Sequence, residues 1–224
     1  MRVPRIAVVF GLIGMLAACA APTSPPQRQP QGAGREPSGK PVDPQIVERL
    51  HRTMVPLIRA MDNPRPPNQV RVGIIDHPQI NAASGGGGEF YVTTGLLQKA
   101  NDEQLTAILA HEVAHDDLGH VAKQQALGAG LSIATILLDQ LIPGSGAVTP
   151  IAGTLVARAY SRSEEHEADR HGVESLRRAN VPKPKEAMIN TLTWLIQASG
   201  PSEGGFFSTH PGTVDRIEAI QKMR

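Results

Sequence analysis

The sequence predicts an α+β domain, mainly helical, with a small antiparallel β-sheet. Apolar residues recur at helical spacing over 44–61, 101–123, 184–198 and 213–223, and 163–180 reads as a polar helix rich in Glu and Arg. Two short segments, 70–76 and 89–93, alternate or run apolar as strands do, on either side of Gly-rich 81–88. The first 44 residues fit neither layer.

Arg2 and Arg5 form a basic start, and 6–16 is an apolar stretch too short to span a bilayer as a permanent helix. This is the pattern of a secretory leader over 1–18. It ends in Leu16-Ala17-Ala18-Cys19, small residues ahead of a cysteine. The run resembles the bacterial lipobox, which implies cleavage before Cys19 and lipidation of its sulfur. The alternative is an ordinary leader with an incidental cysteine. Residue 20 is Ala rather than Asp. By analogy with Gram-negative lipoproteins, this directs the chain to the outer membrane, facing the periplasm. Cys19 is the only cysteine, so no disulfide can form within the chain.

Residues 19–44 then form a tether rich in Pro, Gln, Gly and Ser, with too little apolar surface to offset ordering entropy. Residues 45–224 suit one domain. The chain carries 22 Lys and Arg against 21 Asp and Glu, and loss of Arg2 and Arg5 leaves it near neutral. No basic patch with interleaved aromatics points to nucleic acid.

Within the domain, 44–61 is a helix with Pro56 as a candidate kink. Residues 63–68 are a Pro-rich turn before the first strand. Asn101 is a plausible N-cap, followed by acidic first-turn residues, for a helix expected to run to about Lys123. Segments 127–142 and 151–160 are apolar and read as a buried helix pair, or as a surface resting on the bilayer. A membrane hairpin is disfavoured: the first is short of the ~20 residues a span needs, and it contains Asp139. Trp194 reads as core, and Phe206-Phe207 as a flap or an anchor for the C-terminal loop.

The chemistry sits in His111-Glu112-Val113-Ala114-His115. On a helix, residues i and i+4 share a face, so two imidazoles can grip one metal ion. Glu112 lies beside them, where it can take a proton from a metal-held water. The string alone also arises by chance. A later acidic helix supplies the missing ligand. Glu165 and Asp169 are again i and i+4, with Ala168 and Gly172 on the same face to allow a close approach. Glu165 is therefore the third ligand, and Asp169 the acceptor that fixes a ligand imidazole's tautomer. Glu164 and Glu167 fall on other faces and are expected to be solvated. Two imidazoles, one carboxylate and an open position suit one Zn2+ per chain. His120 lies about 140° round a continuous helix from His115, which fits a supporting role better than a ligand.

These motifs resemble the HtpX-like and CAAX-prenyl-endopeptidase family of zinc metallopeptidases. Asn81-Ala82 before the Gly-rich loop, residues 91–97, Ser161-Arg162, and Thr209-His210-Pro211 with Arg216-Ile217 extend the match in order over about residues 70–220. The chain is most similar to its soluble periplasmic lipoprotein members. The resemblance implies a zincin-like metalloprotease domain with Glu112 as general base. It implies that His210 either assists the oxyanion or binds zinc as a fourth ligand. The backbone of Asn81 and Ala82 could pair with an extended substrate, and Arg216 could contact substrate or Asp169. The implied activity is an endopeptidase for misfolded or misassembled envelope proteins, outer-membrane proteins among them. The alternative is an assembly or chaperone-like binding factor with a latent zinc site.

Overall fold

Residues 43–126, 136–137, 151–152, 159–199 and 205–224 are described by a computed structural model of the chain. The leader, Cys19 and nearly all of the expected tether lie outside them. Helix α1 spans Pro44–Arg59, opened by the Asp43 carboxylate accepting from the Gln45 N–H, and it runs on past Pro56. Its apolar face, Leu50, Met54 and Leu57, is fully buried. Arg49 fastens α1 to the segment ahead of the next long helix, donating to the carbonyls of Leu97 at 2.8 Å and Ala100 at 2.6 Å.

Strands β1 (Arg71–Asp76), β2 (Ala82–Gly86) and β3 (Glu89–Thr93) form the main sheet. The fold is α+β and mainly helical, but the sheet is mixed rather than antiparallel. β2 and β3 make an antiparallel hairpin, whereas β3 returns alongside β1 in parallel, Val72 facing Phe90 and Ile74 facing Val92. Side-chain alternation reports which face is buried and not which way the neighbour runs, so the sequence pattern could not show this.

β1's other edge is met by two short strands. β4 (Ile136–Leu137) pairs antiparallel with Arg71 and Val72, and β5 (Ile151–Ala152) pairs parallel with Ile75 and Asp76. Both fall in the segments expected as helices, and at these residues that expectation is corrected. The main chains of both segments pair with the second edge of β1, and short apolar runs do not distinguish strand from helix. The rest of 127–142 and 151–160, with any membrane contact, lies outside the described residues. Among the described residues no helix is long and apolar enough to cross a membrane.

After α2 (Thr94–Lys99), helix α3 spans Asp102–Asp117. Asn101 and Gln104 form a reciprocal capping box at its start. From Ala107 to Asp116 every residue of α3 is buried. The helix is the spine of the domain, packed by α1, α5, α6 and β2. It stops earlier than expected: Leu118 and Gly119, the latter at φ +73°, separate it from α4 (His120–Ala126).

Helix α5 (Arg162–Arg178) opens on a second capping box, Ser161 with Glu164. Glu164 is therefore buried at the cap and paired with Lys123 at 2.8 Å, not solvated as its position on the helical wheel implied. Helices α6 (Pro184–Ser199), α7 (Phe206–Thr209) and α8 (Thr213–Gln221) complete the chain.

α5 lies close on α3 because its facing residues are small. A Cβ on Gly172 would stand 3.4 Å from the Ala110 carbonyl oxygen and 3.0 Å from Met188 Cε. Gly172→Ala is expected to stay within about 1 kcal/mol of the parent, the helix-propensity gain offsetting a shift of the flexible Met188 end. Gly172→Leu should lose roughly 1–3 kcal/mol through overpacking. Urea denaturation of the two variants checks the difference.

Candidate active site

Two i,i+4 pairs meet where α3 and α5 cross. His111 and His115 lie one turn apart on α3, with Nε2 atoms 3.0 Å apart. Glu165, in the first turn of α5, places Oε2 3.5 Å from His111 Nε2 and Oε1 3.3 Å from His115 Nε2. The fourth group comes from the end of α7. His210 donates its main-chain N–H to the Phe206 carbonyl, and its ring stacks on Phe206 at 4.2 Å. His210 Nδ1 lies 3.1 Å from the same carbonyl, which turns Nε2 toward the cluster. One donor atom from each of His111, His115, Glu165 and His210 lies within 4.8 Å of every other. All four side chains are buried.

Glu112 stands beside this group and is also fully buried. Its Oε2 accepts the Ser84 main-chain N–H at 2.9 Å, from β2. Its Oε1 makes no hydrogen bond and lies 3.3 Å from His210 Nε2.

Behind the cluster, Asp169 Oδ1 lies 3.0 Å from His111 Nδ1. Arg216, 1 % exposed, grips both oxygens of Asp169 at 2.7 Å. Its Nη1 also approaches Glu165 Oε2 to 2.5 Å, an ion-pair contact without hydrogen-bond alignment. The same nitrogen lies 3.4 Å from the His210 carbonyl. Arg216 therefore takes the Asp169 alternative read from the sequence. Its reading as a substrate contact is corrected, because the whole fork is engaged inside the protein.

The cluster is short of positive charge. Glu112, Glu165 and Asp169 are three buried carboxylates, and Arg216 is the one guanidinium among them. Burial and Arg216 both oppose charge on His111, yet Glu165 and Asp169 raise it to about 9. Burial holds His115 well below the ordinary histidine range. Burial would lift Glu165, but His210 and His111 hold it far below the usual carboxylate range. Both oxygens of Glu165 and His210 Nε2 make no hydrogen bond despite their burial. Buried polar atoms left without a partner are rare unless something binds them. A small divalent cation fits the charge, the donor types and the 3.0–3.5 Å spacings between the His111, His115 and Glu165 atoms.

A family model agrees with this geometry: that of peptidase family M48 matches residues 44–224. The chain belongs to this family. It is similar to the protease HtpX homologue of Bacillus licheniformis, 28% identical over 215 residues, covering 79% of this chain and 69% of that protein. The HtpX homologue of Bacillus subtilis is 26% identical over 219 residues, with the same coverage, 79% and 69%. The mitochondrial metalloendopeptidase OMA1 of Bos taurus is 30% identical over 170 residues, covering 68% of this chain but 32% of OMA1. The M48 chain is thus a metallopeptidase, and its substrates are proteins or peptides.

In this M48 site the two residues expected to meet substrate through their backbone separate. Asn81 turns its main chain inward: its carbonyl accepts the Thr93 N–H and its N–H goes to Thr93 Oγ1, both at 3.1 Å. Main-chain groups alternate along an antiparallel strand, so Ala82 and Ser84 face the outer edge. Among the described residues β2 is the terminal strand of the sheet, and at Ser84 that edge meets Glu112. The backbone expectation is corrected for Asn81, whose buried side-chain Oδ1 is left without a hydrogen bond, while the Ala82 main chain lies on the other edge.

Sequence reasoning missed Tyr160, which stacks on the His115 ring at 3.7 Å and 16°. It also missed Ser84, which acts through its main chain and so leaves no residue-type signal.

Removing Arg216 leaves buried carboxylates uncompensated. Arg216→Ala should cost about 3–5 kcal/mol, as breaking a buried pair does. Arg216→Lys should recover only part, because an ammonium cannot form the two-point grip on Asp169. Chemical denaturation of both variants measures this.

Proposed function

We propose that the cation is zinc. We further propose that this metallopeptidase cuts misfolded or misassembled envelope proteins, outer-membrane proteins among them. It would act at the periplasmic face of the outer membrane, tethered through lipidated Cys19. The observation that carries the catalytic reading is Glu112: one oxygen fixed by Ser84, the other bare beside the ligand group. A tetrahedral zinc with bonds of about 2.0–2.1 Å sets its ligand atoms roughly 3.3 Å apart, close to the spacings between the two ring nitrogens and from each to one oxygen of the Glu165 carboxylate. Bound zinc supplies Lewis acidity toward a scissile carbonyl and an activated water.

The chain's own groups do the rest. Glu112 Oε1 accepts the proton of the attacking water and passes it to the leaving amine. An extended peptide added to the outer edge of β2 at Ala82 runs toward Glu112 and needs no side-chain sequence of its own, which suits unfolded clients. The location rests on the leader, the run ending in Cys19, and Ala20.

One observation favours a second reading for the resting state. His210 Nε2 lies within the ligand group and turns toward it. A ring bound there would close the fourth position, giving an assembly or chaperone-like factor with a latent zinc site.

Metal analysis and casein cleavage with the purified chain test both. Glu112→Gln should keep zinc and lose cleavage by about 10²-fold or more. His111→Ala should lose both, and a chelator should abolish cleavage until zinc is restored. His210→Ala lowers cleavage if the ring assists the oxyanion, and raises it if the ring closes the site. A parent protein with no bound zinc would overturn both readings. For the location, Cys19→Ser should release the protein from the outer-membrane fraction of a Gram-negative host.

A further inference from the structure

The two ligand-bearing rings of α3 are supported in different ways. His111 Nδ1 meets Asp169, a buried carboxylate held by Arg216. His115 Nδ1 meets another imidazole, that of His120, at 3.0 Å. This contact exists because α3 stops. On a continuous helix His120 would point about 140° away from His115. The turn at Leu118-Gly119, with Gly119 at φ +73°, restarts the chain so that His120 begins α4 and its ring folds back under His115.

The chain of contacts continues outward. His120 Nε2 lies 3.3 Å from Glu167 Oε2, on α5. Ser163 Oγ donates to the other oxygen of Glu167 at 3.0 Å and holds that side chain in place. His120 is 5 % exposed, whereas the Glu167 side chain is 47 % exposed. Tyr160 stacks flat on His115 and fixes the plane of the ring.

With His115 and His120 both neutral, hydrogen-bond polarity allows one consistent arrangement. Glu167 is an acceptor, so His120 carries its hydrogen on Nε2. His120 Nδ1 is therefore an acceptor, and His115 carries its hydrogen on Nδ1. The lone pair of His115 is left on Nε2, the atom that faces His111 and Glu165. A ligand imidazole needs this tautomer and this orientation to bind a metal ion.

We infer that His120 and Glu167 are positioning residues for the metal site: a relay from the protein surface that orients His115 and fixes its tautomer. The inference rests on the proposal that the cluster holds zinc. It assigns a role to Glu167, expected from its wheel position to be merely solvated, and makes the helix break at Gly119 part of the metal site.

The test is zinc affinity of the full chain, stripped of metal and titrated against a chromophoric chelator, together with the melting temperature of the stripped protein. His120→Leu should weaken zinc binding about 10–100-fold, the usual effect of losing a ligand's supporting partner. His120→Gln should restore most of it, because its amide oxygen accepts from His115 while its amide nitrogen donates to Glu167. Glu167→Ala, at a half-exposed position that the fold tolerates, should weaken binding by roughly tenfold. A purely structural role would lower the melting temperature in His120→Leu and His120→Gln alike and leave the zinc affinity of Glu167→Ala at the parent value. That result overturns the relay while the zinc proposal stands. Failure of the parent chain to bind zinc overturns both.

Discussion

Arg216 lies where the last helix meets the two ligand-bearing ones, and its guanidinium holds three separate pieces together. It grips Asp169 at two points, touches Glu165 and reaches the main chain of His210. Those contacts span α5, the end of α7 and α8, the parts of the chain that must converge on α3. A buried carboxylate with no partner is expensive, and Asp169 and Glu165 sit side by side in the core. Without Arg216 they would repel each other. With it, burial and the guanidinium act against one another, and Asp169 is held down at about 2. It thereby remains an acceptor for His111.

α3 solves a related problem on its other flank. Glu112 and Asp116 are i and i+4, and both face the β2–β3 hairpin. Glu112 takes the Ser84 N–H, and Asp116 takes the Gly88 N–H at 3.1 Å. Gly88 sits in the hairpin turn at φ +87°, where a Cβ would stand 2.6 Å from the Gln69 carbonyl oxygen. Arg65 compensates Asp116, and Asp117 takes the N–H groups of Asp62 and Asn63 together with His171. Carboxylates at the end of a helix work against its dipole. Here they are positioned by partners from three directions, and the result is a hairpin clamped in register with Glu112.

What the sequence made legible was whatever depended on helical periodicity. The His111/His115 and Glu165/Asp169 pairs, the small Gly172 between the helices and the Asn101 cap were all visible as spacings or local chemistry. The structure brings His111, His115 and Glu165, read from their spacing, together with His210, which the resemblance added. Hidden features depended on tertiary direction. Alternation could not say that β1 and β3 run parallel, and the apolarity of Ile136, Leu137 and Ile151 did not distinguish strand from helix. The burial of Arg216 was invisible because an arginine on a short helix reads as surface until its carboxylates are placed. The break at Gly119 did have a signal, a glycine after the last periodic residue, which the following polar residues masked.

The candidate ligand groups, His111, His115, Glu165 and His210, are far apart in sequence and come from α3, α5 and the end of α7. In the unfolded chain they have no reason to be near one another, so a cation held by all of them acts as a crosslink available only to the folded state. Any affinity for that cation adds to the stability of the fold by mass action. The arrangement also divides the labour. Arg216 neutralises the inner side of the cluster well enough for it to fold, but one guanidinium against three buried carboxylates leaves negative charge for a metal. The surplus negative charge is therefore what keeps the site selective for a bound cation while the surrounding helices remain packed.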